Sequence, residues 1–271
     1  MTRVGWNELA EWRDHRMGER GDLWHRALID PALLKMLGSV RGHRVLDVGC
    51  GNGYLARRFK REGAARSVGV DSALASIRLA RRRECAHPSG AEFVHGDAAR
   101  LPQFESHSFD RIVANMSLMD VRRADSALRE LSRLLAPDGR LVFSINHPCF
   151  DIDEASSWVV EHRPYHETVG RKVEGYRRER TVRVPWKISD SETAYTTSYH
   201  RTLETYSRYL SDAGLVILRL VEPAPKPELI RRSSQGRFIA EIPLHLVFEV
   251  AHRPEGTGAR ARRSRRTRGA L

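Results

Sequence analysis

The pattern of apolar and polar positions along this 271-residue chain changes character twice. Over residues 1–40, Leu9 and Trp12, then Leu23, Trp24, Leu28, Ile29 and Leu33, recur at helical spacing and predict helices outside any sheet. Asp30-Pro31 reads as a helix start, with Asp30 as N-cap and Pro31 in the first turn. From 44 to 150, short apolar runs alternate with amphipathic stretches. The run starting at Val45, Ser67–Asp71, Phe93–Asp97, Phe109–Asn115 and Leu141–Asn146 predict five strands. Tyr54–Glu62 and Ala124–Leu135 predict helices, the second stopped by Pro137-Asp138-Gly139. Residues 150–198 break the alternation. Trp158, Tyr165, Tyr176, Trp186 and Tyr195 stand there among many charges, and Tyr176–Val184 alternates in part, as a strand of a small antiparallel cover would. A helix over His200–Ala213, ended by Gly214, a sixth strand at Leu215–Val221 and a last strand at Ile242–Ala251 complete the pattern.

These elements predict an α/β fold, a Rossmann-like, doubly wound and mostly parallel sheet. One domain spans 1–252. Residues 1–40 form its helical cap, and the insertion at 150–198 follows the fifth strand and is expected to lie over the ligand edge as an acceptor-site lid. No internal repeat is visible.

Composition refines this picture. No apolar run approaches the roughly twenty residues of a membrane span, and the first residues lack the apolar core of a secretion signal. Cys50, Cys85 and Cys149 show no C-x-x-C spacing, which suggests neither disulfides nor zinc and fits a reducing cytoplasm. His162 and His166 are separated by Pro164, against a helical metal pair, so no metal is expected. The net charge of +12 is arginine-dominated, with lysine only at Lys35, Lys60, Lys172, Lys187 and Lys226. Half of the excess sits in 253–271, where seven arginines face Glu255, and this stretch reads as a disordered solvated tail.

The candidate chemistry begins at Val45-Leu-Asp-Val-Gly-Cys-Gly-Asn-Gly53. An apolar run ends in an acid and enters three glycines at alternate positions, where backbone can turn sharply and approach a ligand. A dinucleotide fingerprint needs a glycine at position 54, which is Tyr54. The pattern therefore points to a nucleoside cofactor without a pyrophosphate. Asp71 and Asp97 end the second and third strands, and in an open α/β sheet these tips share one edge.

In order, VLDVGCGNG, GVD, GDAARLP, SFDRIVANMSL and LRELSRLLAPDGRLVFS resemble the class I S-adenosylmethionine (SAM)-dependent methyltransferases, in the small-molecule branch with the ubiquinone-biosynthesis type enzymes. The resemblance is dense from Arg44 to Pro148 and weaker in the C-terminal third. It implies a seven-stranded sheet whose last strand runs antiparallel between the fifth and sixth. It implies SAM as cofactor and methyl transfer to O, N or C of a small metabolite. It also implies roles. Gly49, Gly51 and Gly53 let backbone lie against the amino-acid tail and ribose, and Asp47 balances the tail ammonium. Asp71, with Ser72 beside it, accepts the ribose hydroxyls. Asp97 accepts from the adenine amino group, the Ala98 N–H bonds a ring nitrogen, and Asn115 and Met116 line the sulfonium pocket. On the acceptor side, His147 follows the fifth strand as a candidate base, with Tyr199 and His200 expected to start the helix after the lid. Trp24, His25 and Arg26 lie where related enzymes close a helix over the cofactor. Arg26 is read either as a partner of its carboxylate or as a surface arginine beside a core Trp24. Asp110 and Cys50 are assigned structural roles. The expected partner is a small-molecule acceptor, for a monomer or homodimer, and the aromatic insertion hints at a ring-bearing one. Alternatives are a nucleic-acid methyltransferase and a non-catalytic SAM-binding protein. Against the first, Asn115-Met-Ser-Leu118 lacks the Asn/Asp-Pro-Pro-aromatic run of enzymes that methylate exocyclic base nitrogens.

Overall fold

The structure, a computed structural model, describes residues 5–254. The basic stretch beyond Pro254, expected to be a disordered tail, lies outside the described residues. Helix α1 (Trp6–Met17) is followed by a helical run that starts at Leu23 and ends with α2 (Asp30–Leu37). Within the run, His25–Ile29 form a wide π-type turn in which the Asp30 N–H donates to the His25 carbonyl. Pro31 explains the widening: it has no N–H for the Ala27 carbonyl four residues back, and its ring crowds that oxygen. The freed Ala27 oxygen accepts the Lys226 backbone N–H at 2.8 Å. The expected helix start at Asp30-Pro31 is thus corrected. Asp30 lies inside a continuous helical run, buried, where its carboxylate accepts from the Tyr54 hydroxyl (3.1 Å) and the Asn115 amide (2.9 Å).

Strands and helices then alternate: β1 (Arg44–Val48), α3 (Tyr54–Arg61), β2 (Arg66–Asp71), α4 (Leu74–Ala86), β3 (Glu92–His95), β4 (Phe109–Asn115), α5 (Ala124–Leu134) and β5 (Leu135–Asn146). Two hairpins follow, β6 (Ser156–Arg163) with β7 (His166–Val173), and β8 (Arg180–Lys187) with β9 (Thr193–His200). The chain closes with α6 (Leu203–Asp212), β10 (Leu215–Val221), α7 (Pro227–Arg232), α8 (Gly236–Glu241) and β11 (His245–His252).

Seven strands form one sheet in the order β10-β11-β5-β4-β1-β2-β3. β11 is antiparallel to both neighbours and the other pairings are parallel. Successive side chains leave a strand on opposite faces, and here both faces are covered. Leu46, Ile112, Leu141 and Phe143 join one buried cluster with α5 and α6, while Val45, Val113 and Val142 join another with α2 and α3. That is why these strands read as continuous apolar runs.

Several boundaries differ from the sequence reading, β3 ending at His95 rather than Asp97 and β11 starting at His245 rather than Ile242 among them. β5 pairs from Leu135 with Phe109 and resumes at Arg140 with Arg111, so Pro137 and Gly139 sit in a bulge rather than ending the pairing. The strand expected at Tyr176–Val184 lies at Arg180–Lys187, in one of two separate ribbons. α6 begins at Leu203, because the Thr202 hydroxyl accepts the Thr205 N–H at 3.2 Å and caps the helix there. Asp110 is structural, bonding the Arg44 backbone N–H (2.8 Å) and guanidinium (2.7 Å) across the start of β1 and β4.

Candidate functional site

The carboxyl ends of β1, β2 and β4 and the turn after β3 surround a cavity of about 360 Å³. Asp47, Gly49, Gly51, Asp71, Ser72, Asp97, Ala98, Asn115 and Met116 all line it. Gly53 does not. A Cβ there would lie 2.2 Å from the Phe93 ring, at a φ of 78°, so this glycine lets the start of α3 press against β3. Gly49 is similar, its missing Cβ leaving room for Ser117, which would stand 2.4 Å away. Gly51 differs: at a φ of 54° a Cβ would meet nothing within 4 Å, and its bare backbone faces the cavity.

The acids have distinct environments. Asp71 ties the loop to β2, its two oxygens accepting the Gly51 and Ala73 N–H groups, each at 2.8 Å. Burial raises its pKa and the two amides oppose the rise. Each oxygen keeps a lone pair for a further donor. Asp47 is 2% exposed. Burial first, then the charges of Asp71 and Asp30, push its pKa up to about 7. Asp97 is exposed, accepts the Ala99 N–H at 2.9 Å and meets Arg123 at 3.2 Å. Asn115 belongs to a chain of polar contacts: its amide donates to Asp30 and to the Tyr54 hydroxyl (3.0 Å), and its oxygen accepts from Ser144 (2.7 Å). The Ser144 hydroxyl also accepts the Met116 N–H at 2.9 Å, holding Met116 at a φ of 51°.

The residues expected on the acceptor side do not wall this cavity. His147 is buried, with Nδ1 accepting the Cys149 N–H (3.1 Å) and Nε2 donating to Glu222 (3.0 Å). Nδ1 closes the turn after β5, Nε2 ties it to the residue after β10, and burial lowers the His147 pKa against the pull of Glu222. Tyr199 and His200 do not start a helix but end β9. His200 Nε2 donates to the Tyr176 carbonyl at 2.7 Å, and the two residues border a crevice of only about 20 Å³. The hairpins at 150–198 contribute no lining residue either.

What closes the cavity instead is α1. Trp6, Ala10, Arg13, Asp14 and Met17 line it, spaced i, i+4, i+7, i+8 and i+11 on one helical face. The spacing was present in the sequence, but Arg13 and Asp14 hide it from a search for apolar stripes. The roof is anchored at both ends. The Trp6 indole donates to Asp120 (3.0 Å), and Asp14 bonds the Asn52 amide (2.9 Å) and the Arg83 guanidinium (2.6 Å). Behind it, Trp186 of β8 meets Trp6 and Trp12 with ring centroids 5.5 and 5.9 Å apart. The insertion therefore shapes the site indirectly, by bracing the roof.

Arg26 is exposed and off the cavity, whereas His25 and Tyr54 line it. His25 Nδ1 donates to Asp22 at 2.8 Å, and Arg13 donates to the same carboxylate at 3.1 Å. Burial would raise the Asp22 pKa, but His25 and Arg13 outweigh it and hold the carboxyl well below its usual range. Nothing in the local pattern separated His25 from Arg26. The π-type turn, with the rotation it imposes, decides which residue faces inward.

Comparison with known proteins agrees with this geometry. Residues 46–143 match the family model described as a methyltransferase domain. The fatty-acid O-methyltransferase of Mycolicibacterium smegmatis is 40% identical over 119 residues, 42% of this chain and 41% of that protein. The demethylmenaquinone methyltransferase of Renibacterium salmoninarum is 33% identical over 128 residues, 47% of this chain and 49% of that one. The chain thus spans about half the length of these curated relatives, from 41% to 49%. A crystal structure of an S-adenosylmethionine-dependent methyltransferase from Mesorhizobium loti superposes with a TM-score of 0.65 at 26% identity, covering 82% of this chain and 96% of that one. The glycine turn, the seven-stranded order with its one reversed strand, and these relatives agree: residues 46–143 form a methyltransferase domain, on the fold shared with the SAM-dependent methyltransferase of Mesorhizobium loti.

Proposed function

We propose that this chain transfers a methyl group from SAM to an O, N or C atom of a small metabolite. One observation carries the reading: acids on successive strand tips converge on a single cavity, with bare backbone at Gly51 between them. The donor set suits the cofactor. Asp47, buried and held near neutrality, is matched to the tail ammonium. Asp71, with Ser72 beside it, has lone pairs for the ribose hydroxyls. Asp97 and the Ala98 N–H suit the adenine, and Asn115 and Met116 suit the sulfonium end. Arg13, which gives one N–H to Asp22, has further donors for the tail carboxylate. A volume of about 360 Å³ lies within the roughly 300–1,000 Å³ usual for small-molecule sites.

When bound, the cofactor supplies a methyl group on a positively charged sulfur. The chain's part is to align the acceptor and keep water out. The α1 roof and the apolar Met17, Val48, Val70 and Leu79 serve the second task. A small, protein-enclosed acceptor is favoured over nucleic acid because the entry is covered by α1. The matched relatives act, by name, on a fatty acid and on demethylmenaquinone. Among the described residues no helix is long and apolar enough to cross a membrane, in keeping with a cytoplasmic enzyme.

Calorimetry tests the cofactor. SAM and its demethylated product, S-adenosylhomocysteine, should bind in the micromolar range or tighter, and no heat from either overturns the assignment. Asp71→Ala should weaken binding by about 1–3 kcal/mol, the cost of leaving ligand hydroxyls unpaired. An unchanged affinity would remove Asp71 from the ribose.

A further inference from the structure

A second concavity, of about 610 Å³, shares Tyr54 as a wall with the cofactor cavity. Its basic groups come from four separate parts of the chain: Arg20 after α1, Arg26 in the π-type turn, Arg58 and Arg61 on α3, and Lys226 before α7. It also holds three acids, and each is already engaged. Glu19 pairs with Arg57 (3.2 Å) and Arg83, Glu62 pairs with Arg58 (2.7 Å), and Asp30 accepts from Tyr54 and Asn115. Arg20, Arg26, Arg61 and Lys226 make no side-chain hydrogen bond or ion pair among the described residues.

Arginine abundance alone does not account for this. Some exposed arginines of this protein find acids, as Arg44 does with Asp110 and Arg66 with Glu92, while others such as Arg78 and Arg82 stand without one among the described residues, on the open face of α4; what sets this cleft apart is convergence. Here four cations converge through tertiary structure. The Lys226 backbone is pinned to the Ala27 carbonyl that Pro31 released, so the fold itself fixes this loop at the cleft. Like charges gathered in one concavity repel one another and attract an anion. The planar forks of arginine suit the paired oxygens of phosphate and carboxylate.

We propose that this cleft binds a small, multiply charged anion bearing phosphate or carboxylate groups. The site is independent of the methyl-transfer reading. Titrating the full chain with pyrophosphate and with citrate at constant ionic strength tests it and separates the two chemistries. One or both should bind below millimolar concentration, and the tighter of the two names the group. Arg26→Glu and Arg61→Glu should each weaken that binding by about tenfold or more. Arg78→Glu, the same charge change at an exposed position on α4, should not; thermal unfolding checks that each variant is folded. Three results overturn the proposal: neither anion binds, Arg78→Glu weakens binding as much as the cleft variants, or a single-stranded oligonucleotide displaces both anions and marks the cleft as part of a nucleic-acid surface.

Discussion

The strand tips and the insertion at 150–198 serve the same cavity in different ways. At the tips, each lining residue sits at the end of a core strand and is held by the strand paired beside it. Gly51 opens the backbone, Asp71 holds Gly51, and Met116 is set by Ser144 on the adjacent strand. The insertion supplies no atom to the cavity wall, and acts through Trp186 on α1, which is distant in sequence. The difference separates two kinds of support. A cradle held by neighbouring strand tips forms with the sheet itself, whereas a braced roof exists only once the insertion and the N-terminal helix meet.

That contrast can be broken by substitution. At fixed pH the largest effect is expected from Gly53→Ala. The new Cβ would enter the Phe93 ring at 2.2 Å in a left-handed conformation, and stability measured by urea unfolding should fall by about 3 kcal/mol. A loss below about 1 kcal/mol would mean that β3 yields, and that the loop is less rigid than its geometry implies. Gly51→Ala has room for its Cβ, so it should cost only about 1 kcal/mol of stability for its positive φ. Its affinity for S-adenosylhomocysteine should nonetheless drop about tenfold or more, by the close approach that Gly51 permits. Retained affinity would show that the cofactor does not use this open face.

Trp186→Ala probes the brace. The sheet should unfold as before, while S-adenosylhomocysteine binds about 1 kcal/mol more weakly, the scale of the lost ring contacts, and dissociates faster. Unchanged binding would assign the roof to its polar anchors alone, Asp120 on Trp6 and Asn52 and Arg83 on Asp14. A pH dependence at Asp47 probes the cradle itself. Its folded pKa is raised from 3.8 to about 7, so the folded state keeps a proton that the unfolded chain has released over that window. Wild-type stability therefore carries a component that falls as pH rises from about 4 to about 7. Asp47→Asn lacks this component. The melting temperature of the ligand-free variant should gain on wild type across the window, by about ten degrees for a shift worth about 4 kcal/mol. A constant difference would place Asp47 in a better-solvated setting.

Much of the core was legible in the chain. β4 and β10 fall where the apolar runs put them, and β1, β2 and α5 are within a residue or two, because a strand buried on both faces must be apolar throughout. The acids at 47, 71 and 97 were readable because strand order in an open sheet collects the tips on one edge. The acceptor side was not. His147 follows β5 as foreseen, yet its ring turns into the Cys149 and Glu222 contacts. His200 looked like a helix start because Thr202, two residues on, was not recognised as the cap. Asp30-Pro31 carried a sound N-cap signal, overridden when Tyr54 and Asn115 gave the carboxylate buried partners.

By itself, then, the sequence determined the sheet, the glycine turn and the row of acids, since periodicity and turn chemistry act over a few residues and survive without a folded context. Tertiary structure alone decided which face of the N-terminal helices looks inward, that α1 rather than the insertion covers the cavity, and that four scattered cations share one cleft. Those outcomes depend on contacts between segments tens to hundreds of residues apart, whose geometry no local pattern encodes.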